Sequence, residues 1–214
     1  MSSLIQVERS NGLTGAEYSR IELHAHPREP LPEVSNRPSH RSHSVALDVG
    51  FQFASSAPEG STLAIAIFIV LLYRHSGQAE FNIGVRNALE PGLRSPRFVH
   101  IELSEKPVLS QVLAQVGGQL GGLSIDPAVP QDAPAPNVIF GFSTGLVDAG
   151  PSVLDESIEF AAELARADDR STLTLRYDPA RFSEEWVREF ADQYAVLACE
   201  IESSSDRLLS EFSL

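Results

Sequence analysis

The sequence predicts an α+β domain, a mixed sheet layered against about three main helices. Three observations predict it. An unbroken apolar run, Leu63–Tyr73, lies between Ser61 and His75 and reads as a helix with no wet face. Several short segments alternate apolar and polar residues with the period of a strand. A long amphipathic stripe closes the chain after a hairpin-like pair of such segments. Strands interleaved with helices in this way pack as layers around one core.

Each element has its own signal. Residues 1–19 are polar and weakly patterned, and Arg20–His24 could form a short strand. Pro27–Arg41 is proline-rich and reads as an extended linker or crossover, because proline restricts itself and the residue before it. Ser44–Phe53 places Val45, Leu47, Val49, Phe51 and Phe53 on one face of a strand. The helix 61–75 follows, Gly77 stops it, and Glu80–Val85 is strand-like. Asn87–Pro96 reads as a loop, and Phe98–Leu103 alternates again. Pro107–Leu120 has Val108, Leu109, Val112, Leu113 and Val116 at helical spacing, with glycines 117, 118, 121 and 122 weakening and then ending it.

Ser124–Asn137 is a proline-rich loop, and Val138–Ser143 a short strand. Ile158, Phe160, Ala162 and Leu164 share one strand face, with Glu159 and Glu163 on the other. Leu173, Leu175 and Tyr177 repeat the pattern after Ala167-Asp-Asp-Arg170, which predicts an antiparallel hairpin. Ser183 can cap the last helix, Glu184 and Glu185 suit its positive end, and Phe182 can staple onto Val187. Its buried stripe is Trp186, Phe190, Tyr194, Leu197, Ala198 and Ile201.

Composition narrows the function. A formal net charge of −13 argues against nucleic acid and against anionic membranes as partners. The acidity reads as solubility. The single cysteine, Cys199, excludes an internal disulfide. The opening residues lack a signal-peptide pattern, and Leu63–Tyr73 is shorter than the ~20 residues that span a bilayer, so a cytoplasmic protein is expected.

Four segments in order resemble the C-terminal lobe of a nonribosomal peptide synthetase condensation domain. Leu31-Pro-Glu-Val-Ser-Asn-Arg-Pro38, followed by Ser42-His-Ser-Val45, resembles the crossover before that lobe's first strand. Thr62–Gly84, ending Tyr-Arg-His-Ser-Gly-Gln-Ala-Glu-Phe-Asn-Ile-Gly, resembles its long helix and Arg-x-x-Gly-Gln continuation. Phe98-Val-His-Ile-Glu-Leu103 resembles its Phe-Val-Asn-Thr strand, with His100 at the asparagine position. Tyr177-Asp-Pro-Ala-Arg-Phe182 resembles the closing Tyr-x-x-x-x-Phe. The resemblance divides the chain into an N-terminal extension of uncertain structure, 1–30, and a condensation-like lobe, 31–214.

That family joins two lobes resembling chloramphenicol acetyltransferase around a substrate tunnel. The resemblance therefore implies a single lobe of that α/β sandwich. The family's His-His-x-x-x-Asp-Gly signature has no match: His24-Ala-His-Pro-Arg-Glu-Pro30 lacks both the histidine pair and the Asp-Gly. The Asp-Phe-Gly-Trp-Gly latch motif is missing, and the segment before Val138 is short for the family's floor loop. One lobe cannot enclose the tunnel. The expectation is a truncated, non-catalytic domain that stabilises or orients a downstream adenylation domain, with a carrier protein domain as a further partner. Asp206-Arg-Leu-Leu-Ser-Glu-Phe-Ser-Leu214 resembles the run into a downstream linker. Loss of a lobe leaves former interior surface without a partner. That surface is sought around the last helix and tail, at Trp186, Phe190, Tyr194, Leu208 and Phe212. The alternative is a half acyltransferase completed by a second lobe or chain, which would supply the missing base.

No catalytic, cofactor or metal residue is assigned. His24 with His26, and His40 with His43, are metal-like pairs without the further ligands zinc needs, and read as solvated loop histidines. His100 is expected to cap a sheet edge or face a partner. Ser143 in Gly141-Phe-Ser-Thr-Gly145 departs from the spacing of a nucleophile elbow, and Leu146–Pro151 breaks the helix such an elbow needs. The glycines 117–122 lack the lysine of a phosphate loop. Cys199 reads as a packed thiol. Asp155, Glu156, Glu159 and Glu163 read as a wet face.

Overall fold

The computed structural model describes residues 21–23, 40–47, 58–87, 97–121, 136–144, 158–167 and 170–201. The apolar run forms the centre of helix α1 (Pro58–Ser76), and every residue from Ala64 to Leu72 is fully buried. Nothing polar interrupts it, so it has no side to give to water. Its end is built by glycine and serine. Gly77 sits at φ 68° and its N–H donates to Tyr73 O at 2.8 Å, while Ser76 Oγ donates to Leu72 O at 2.6 Å.

The other elements are β1 (Arg41–Leu47), β2 (Glu80–Asn87), β3 (Arg97–Glu102), α2 (Leu109–Gly121), β4 (Val138–Thr144), β5 (Phe160–Ala167), β6 (Arg170–Tyr177) and α3 (Glu184–Ile201). The six strands make one mixed sheet in the order β1-β6-β5-β4-β2-β3. The β4 pairings to β2 and β5 are parallel, and the remaining pairings are antiparallel. The expected hairpin is β5–β6, with Ala167 opposite Arg170. In the helix layer α1 lies against β4, flanked by α2 on the β3 side and α3 on the β6–β1 side. No helix is long and apolar enough to cross a membrane among the described residues.

Aromatic rings weld the layers. Phe68 of α1 lies 5.1 Å from Phe140, 6.3 Å from Phe160 and 5.9 Å from Phe190, between centroids. Trp186 packs on Phe160, Phe182 and Phe190 at 5.6, 5.1 and 5.3 Å. Tyr194 Oη donates to Ala64 O at 3.1 Å, joining α3 to α1. Ser183 Oγ accepts from Trp186 N–H at 3.1 Å, the cap expected from the sequence.

Several expectations change. Trp186 is 5% exposed and Phe190 and Tyr194 are fully buried, so the stripe proposed as a docking surface is this lobe's own core. The physical reason is the ring cluster above: the sheet and α1 already cover the stripe. Leu208 and Phe212 lie outside the described residues. Cys199 is exposed rather than packed, because the stripe that points inward is Leu197 and Ala198. Helix α2, by contrast, runs as expected through Gly117 and Gly118, to Gly121, held by the burial of Leu109, Val112 and Val116. Strand β1 starts at Arg41, ahead of Ser44, and positions 48–53 lie outside the described residues. The core also includes Ile21, upstream of the boundary read at residue 31.

Candidate functional site on the second face of the sheet

Alternation along each strand sends every second side chain to the face opposite α1, α2 and α3. On β4, Val138, Phe140 and Phe142 point with the helix-facing set, and Ile139, Gly141 and Ser143 point away. The register places Asn82 beside His100, Gly84 beside both Phe98 and Ile139, and Gly141 between Arg86 and Glu163. The centre of this face is built from small residues. A Cβ added at Gly141 would lie 3.9 Å from the Arg86 Cβ and 3.9 Å from the Glu163 Cγ. Ile139, Ile158 and Ala161 form a separate small apolar cluster here.

Polar groups surround that cluster. Arg176 Nη2 meets Glu163 Oε2 at 3.4 Å, and Ser44 and Thr174 share a hydroxyl hydrogen bond at 3.0 Å. The His100 ring donates from Nδ1 to Asn82 Oδ1 at 2.9 Å, a tautomer assigned from the acceptor it faces. Nε2 of His100 is then left as an acceptor. Two buried donors, Asn82 Nδ2 and Arg86 Nε, have no hydrogen-bond partner among the described residues. An unmade bond at a buried donor costs about 1–3 kcal/mol. Such groups are uncommon enough to ask what satisfies them.

At one end of the sheet lies a polar node. Asn137 Oδ1 accepts from Ile21 N–H at 3.2 Å, and Asn137 Nδ2 donates to Ile21 O at 2.8 Å and to Glu159 Oε2 at 3.2 Å. Arg181 Nη1 closes on Glu159 Oε1 at 2.8 Å. Glu159 is therefore a buried, paired carboxylate, against the expectation of a wet face. Glu163 is half-buried beside Arg176. Asp155 and Glu156 lie outside the described residues.

The histidines part company. His24 and His26 lie outside the described residues. His40 is half-buried and Nε2 donates to Ile158 O at 3.0 Å, which replaces the solvated loop expected for it. His43 sits within β1 opposite Leu175. No group of three or more metal-type side chains gathers among the described residues. Ser143 is a strand residue opposite Ala165, and the turn an elbow would need lies outside the described residues. His100 does lie on the edge strand, as expected, but the groups that close the edge are glutamines of α2, a detail the sequence reading missed. Their signal was visible as Gln111, Gln115 and Gln119 at intervals of one helical turn.

No family model matches the chain, and no curated protein matches it in sequence. Solved structures do match. The condensation domain of the Monacolin K polyketide synthase MokA superposes with a TM-score of 0.63 at 13% identity, covering 91% of this chain and 55% of that one. The X-domain in complex with OxyB from teicoplanin biosynthesis gives 0.68 at 16% identity, covering 92% of this chain and 52% of that one. A four-domain nonribosomal peptide synthetase bound to AMP and glycine gives 0.60 at 12% identity, covering 91% of this chain and 19% of that one. This chain thus spans about half the length of the single domains it matches. The fold is the chloramphenicol-acetyltransferase-like lobe of condensation domains. In fold, the chain is a partial condensation-like domain of the kind found in nonribosomal peptide and polyketide synthases.

Proposed function

We propose that this chain is a non-catalytic, truncated condensation-like lobe of a nonribosomal peptide synthetase module. It stabilises or orients an adjacent adenylation domain, with a carrier protein domain as a second neighbour. The observation that carries the reading is the pair of buried donors, Asn82 Nδ2 and Arg86 Nε, which have no acceptor among the described residues and lie on the sheet face opposite α1, α2 and α3. A partner offering carbonyl or carboxylate oxygens would relieve both. The docking surface therefore moves from α3 to this face and its rim. Two matches support the reading: one is an X-domain in complex with a second protein, OxyB, and another is a four-domain nonribosomal peptide synthetase.

The test is co-expression with the downstream adenylation domain. Deleting this chain is expected to lower the soluble yield and turnover of that domain, and Arg86→Glu to reproduce part of the loss. Unchanged yield and turnover after deletion would remove the scaffold role. One observation favours a different form of the second reading, a half acyltransferase completed by another lobe, in which this lobe itself carries the base. Asn82 holds the His100 ring with Nε2 outward, a suitable state for accepting a proton from an amine. Under that reading His100→Gln abolishes amide formation by the intact module while the domain stays folded. Retained amide formation excludes His100 as the base.

A further inference from the structure

Ile21, Glu22 and Leu23 alternate as a strand would: Ile21 is buried, Glu22 exposed and Leu23 half-buried against the core. Yet they belong to no strand, and no backbone–backbone hydrogen bond joins them to another described residue. Two side-chain amides hold their backbone instead. Asn137 Oδ1 accepts from Ile21 N–H at 3.2 Å, and Asn137 Nδ2 donates to Ile21 O at 2.8 Å. Gln78 Oε1 accepts from Glu22 N–H at 2.9 Å. A carboxamide carries a donor and an acceptor, as a peptide unit does, so one asparagine grips both backbone groups of one residue.

Both amides are set in place by groups outside the segment. Gln78 N–H donates to Ser76 Oγ at 3.1 Å, and Ser76 Oγ donates to Leu72 O at the end of α1. The Asn137 carbonyl accepts from Glu159 N–H and Phe160 N–H, and its Nδ2 also donates to Glu159 Oε2. Arg181, in the turn before α3, closes on the same carboxylate. A site whose donors and acceptors are fixed beforehand loses little order when it is filled. It asks of its occupant only two successive N–H groups, one C=O and an aliphatic side chain.

We infer that Asn137, Gln78 and the core space filled by Ile21 form an exchangeable peptide-binding socket. In this chain Ile21–Leu23 fills it in cis, and the occupant it takes in trans is the same segment of a second copy. The seated segment argues for that occupant, because its side chain and backbone already match the socket. Exchange of an identical element between copies needs no new contact. The exchange is opposed by the covalent connection to β1 through residues 24–39, which gives the cis segment an effective concentration on the order of mM.

The experiment uses the full 214-residue chain and a fluorescein-labelled synthetic copy of residues 18–25. Ile21→Asp in the chain removes the cis occupant, because a carboxylate does not enter an apolar core unpaired. Fluorescence anisotropy is expected to show saturable binding of the peptide to Ile21→Asp. Against a cis competitor on the order of mM, a peptide of about 100 µM affinity should bind the wild type about tenfold more weakly. N-methylation of the peptide at its Ile21 nitrogen should remove most of the binding, since Asn137 Oδ1 then faces no donor. Glu22→Gln in the peptide should bind as before, because Glu22 is exposed. Failure to bind a folded Ile21→Asp chain overturns the inference, as does equal binding to wild type and variant, or indifference to N-methylation. If Ile21→Asp does not fold, Ile21→Gly is measured in the same way. Loss of the fold in both makes the segment an inseparable part of the core and also overturns it. Mixed with an Asn137→Ala chain, whose own clip is removed, Ile21→Asp should form a one-to-one dimer in sedimentation above the peptide's measured Kd, while neither variant dimerises alone. Gln78→Ala replaces Asn137→Ala if the latter does not fold. Peptide binding without that dimer overturns the second copy as the occupant.

Discussion

His75 ends the buried helix with its ring 5.1 Å from Trp186 and 5.3 Å from Phe190, between centroids. Burial among these rings holds its pKa below the ordinary histidine value, and the hydrogen bond to Gln193 Oε1 at 2.8 Å and the nearby Glu189 only partly oppose that. The sign follows by linkage. The unfolded chain takes up a proton near pH 6.5, while the folded chain resists it to a lower pH. His75 therefore contributes stability that is present above about pH 6.5 and is lost as pH falls through the lowered value. Urea melts from about pH 8 to about pH 5 should show a fall on acidification that His75→Gln makes shallower; equal slopes would refute it. Gly77 is a simpler case. Its φ of 68° is the left-handed region, where an L side chain costs roughly 1–2 kcal/mol. Gly77→Ala should lower stability by about 1 kcal/mol although no atom stands within 4 Å of the new Cβ. Sequence alone marked this helix stop and the Ser183 cap, because both act within a few residues. It misplaced Glu159, whose partners Asn137 and Arg181 lie far along the chain and which alternation assigned to water.

Elements were legible where one period dominates. Helix α1, α3 and the β5–β6 hairpin follow directly from apolar spacing. Strand order was not legible, because alternation says which face a residue takes and not which strand lies beside it. The same limit explains Trp186, Phe190 and Tyr194: a stripe predicts burial without naming what buries it. Helix α2 shows a different limit. Glycines 117 and 118 weaken the helix, yet it reaches Gly121, close to the end at Leu120 read from the sequence. Its fastening to β3 through Gln115 and Gln119 outweighs the propensity cost, and a polar helical face does not announce that it faces backbone. The glycines should still cost stability. Gly118 has open space around an added Cβ and no positive φ, so Gly118→Ala should stabilise the protein by about 0.5–1 kcal/mol. A thermal melt that moves down would mean that α2 needs the glycine for a reason other than its backbone.

At the scale of the molecule, the question is how far the lobe extends toward its N-terminus. Motif spacing placed the start of the lobe at residue 31, yet Ile21 is buried in the core and its backbone N–H and C=O are both held by the Asn137 side chain. Asn137 thereby acts as a strand partner for a segment 116 residues away in sequence. The same residue uses its own carbonyl to accept from Glu159 N–H at 2.8 Å and Phe160 N–H at 3.2 Å, which sets the start of β5 beside β4. One side chain thus ties three distant stretches at one end of the sheet. Asn137→Ala would remove both side-chain bonds to the Ile21 backbone in a buried site, and should cost about 2–3 kcal/mol. Asn137→Asp keeps the shape but sets a second carboxylate against Glu159, so it should cost more than alanine near neutral pH and recover on acidification. Urea melts of both variants, with amide exchange read at Ile21, separate the outcomes. If Ile21 stays protected in Asn137→Ala, the segment is held by its buried side chain alone, and the lobe's N-terminal boundary depends on hydrophobic contact rather than on this amide.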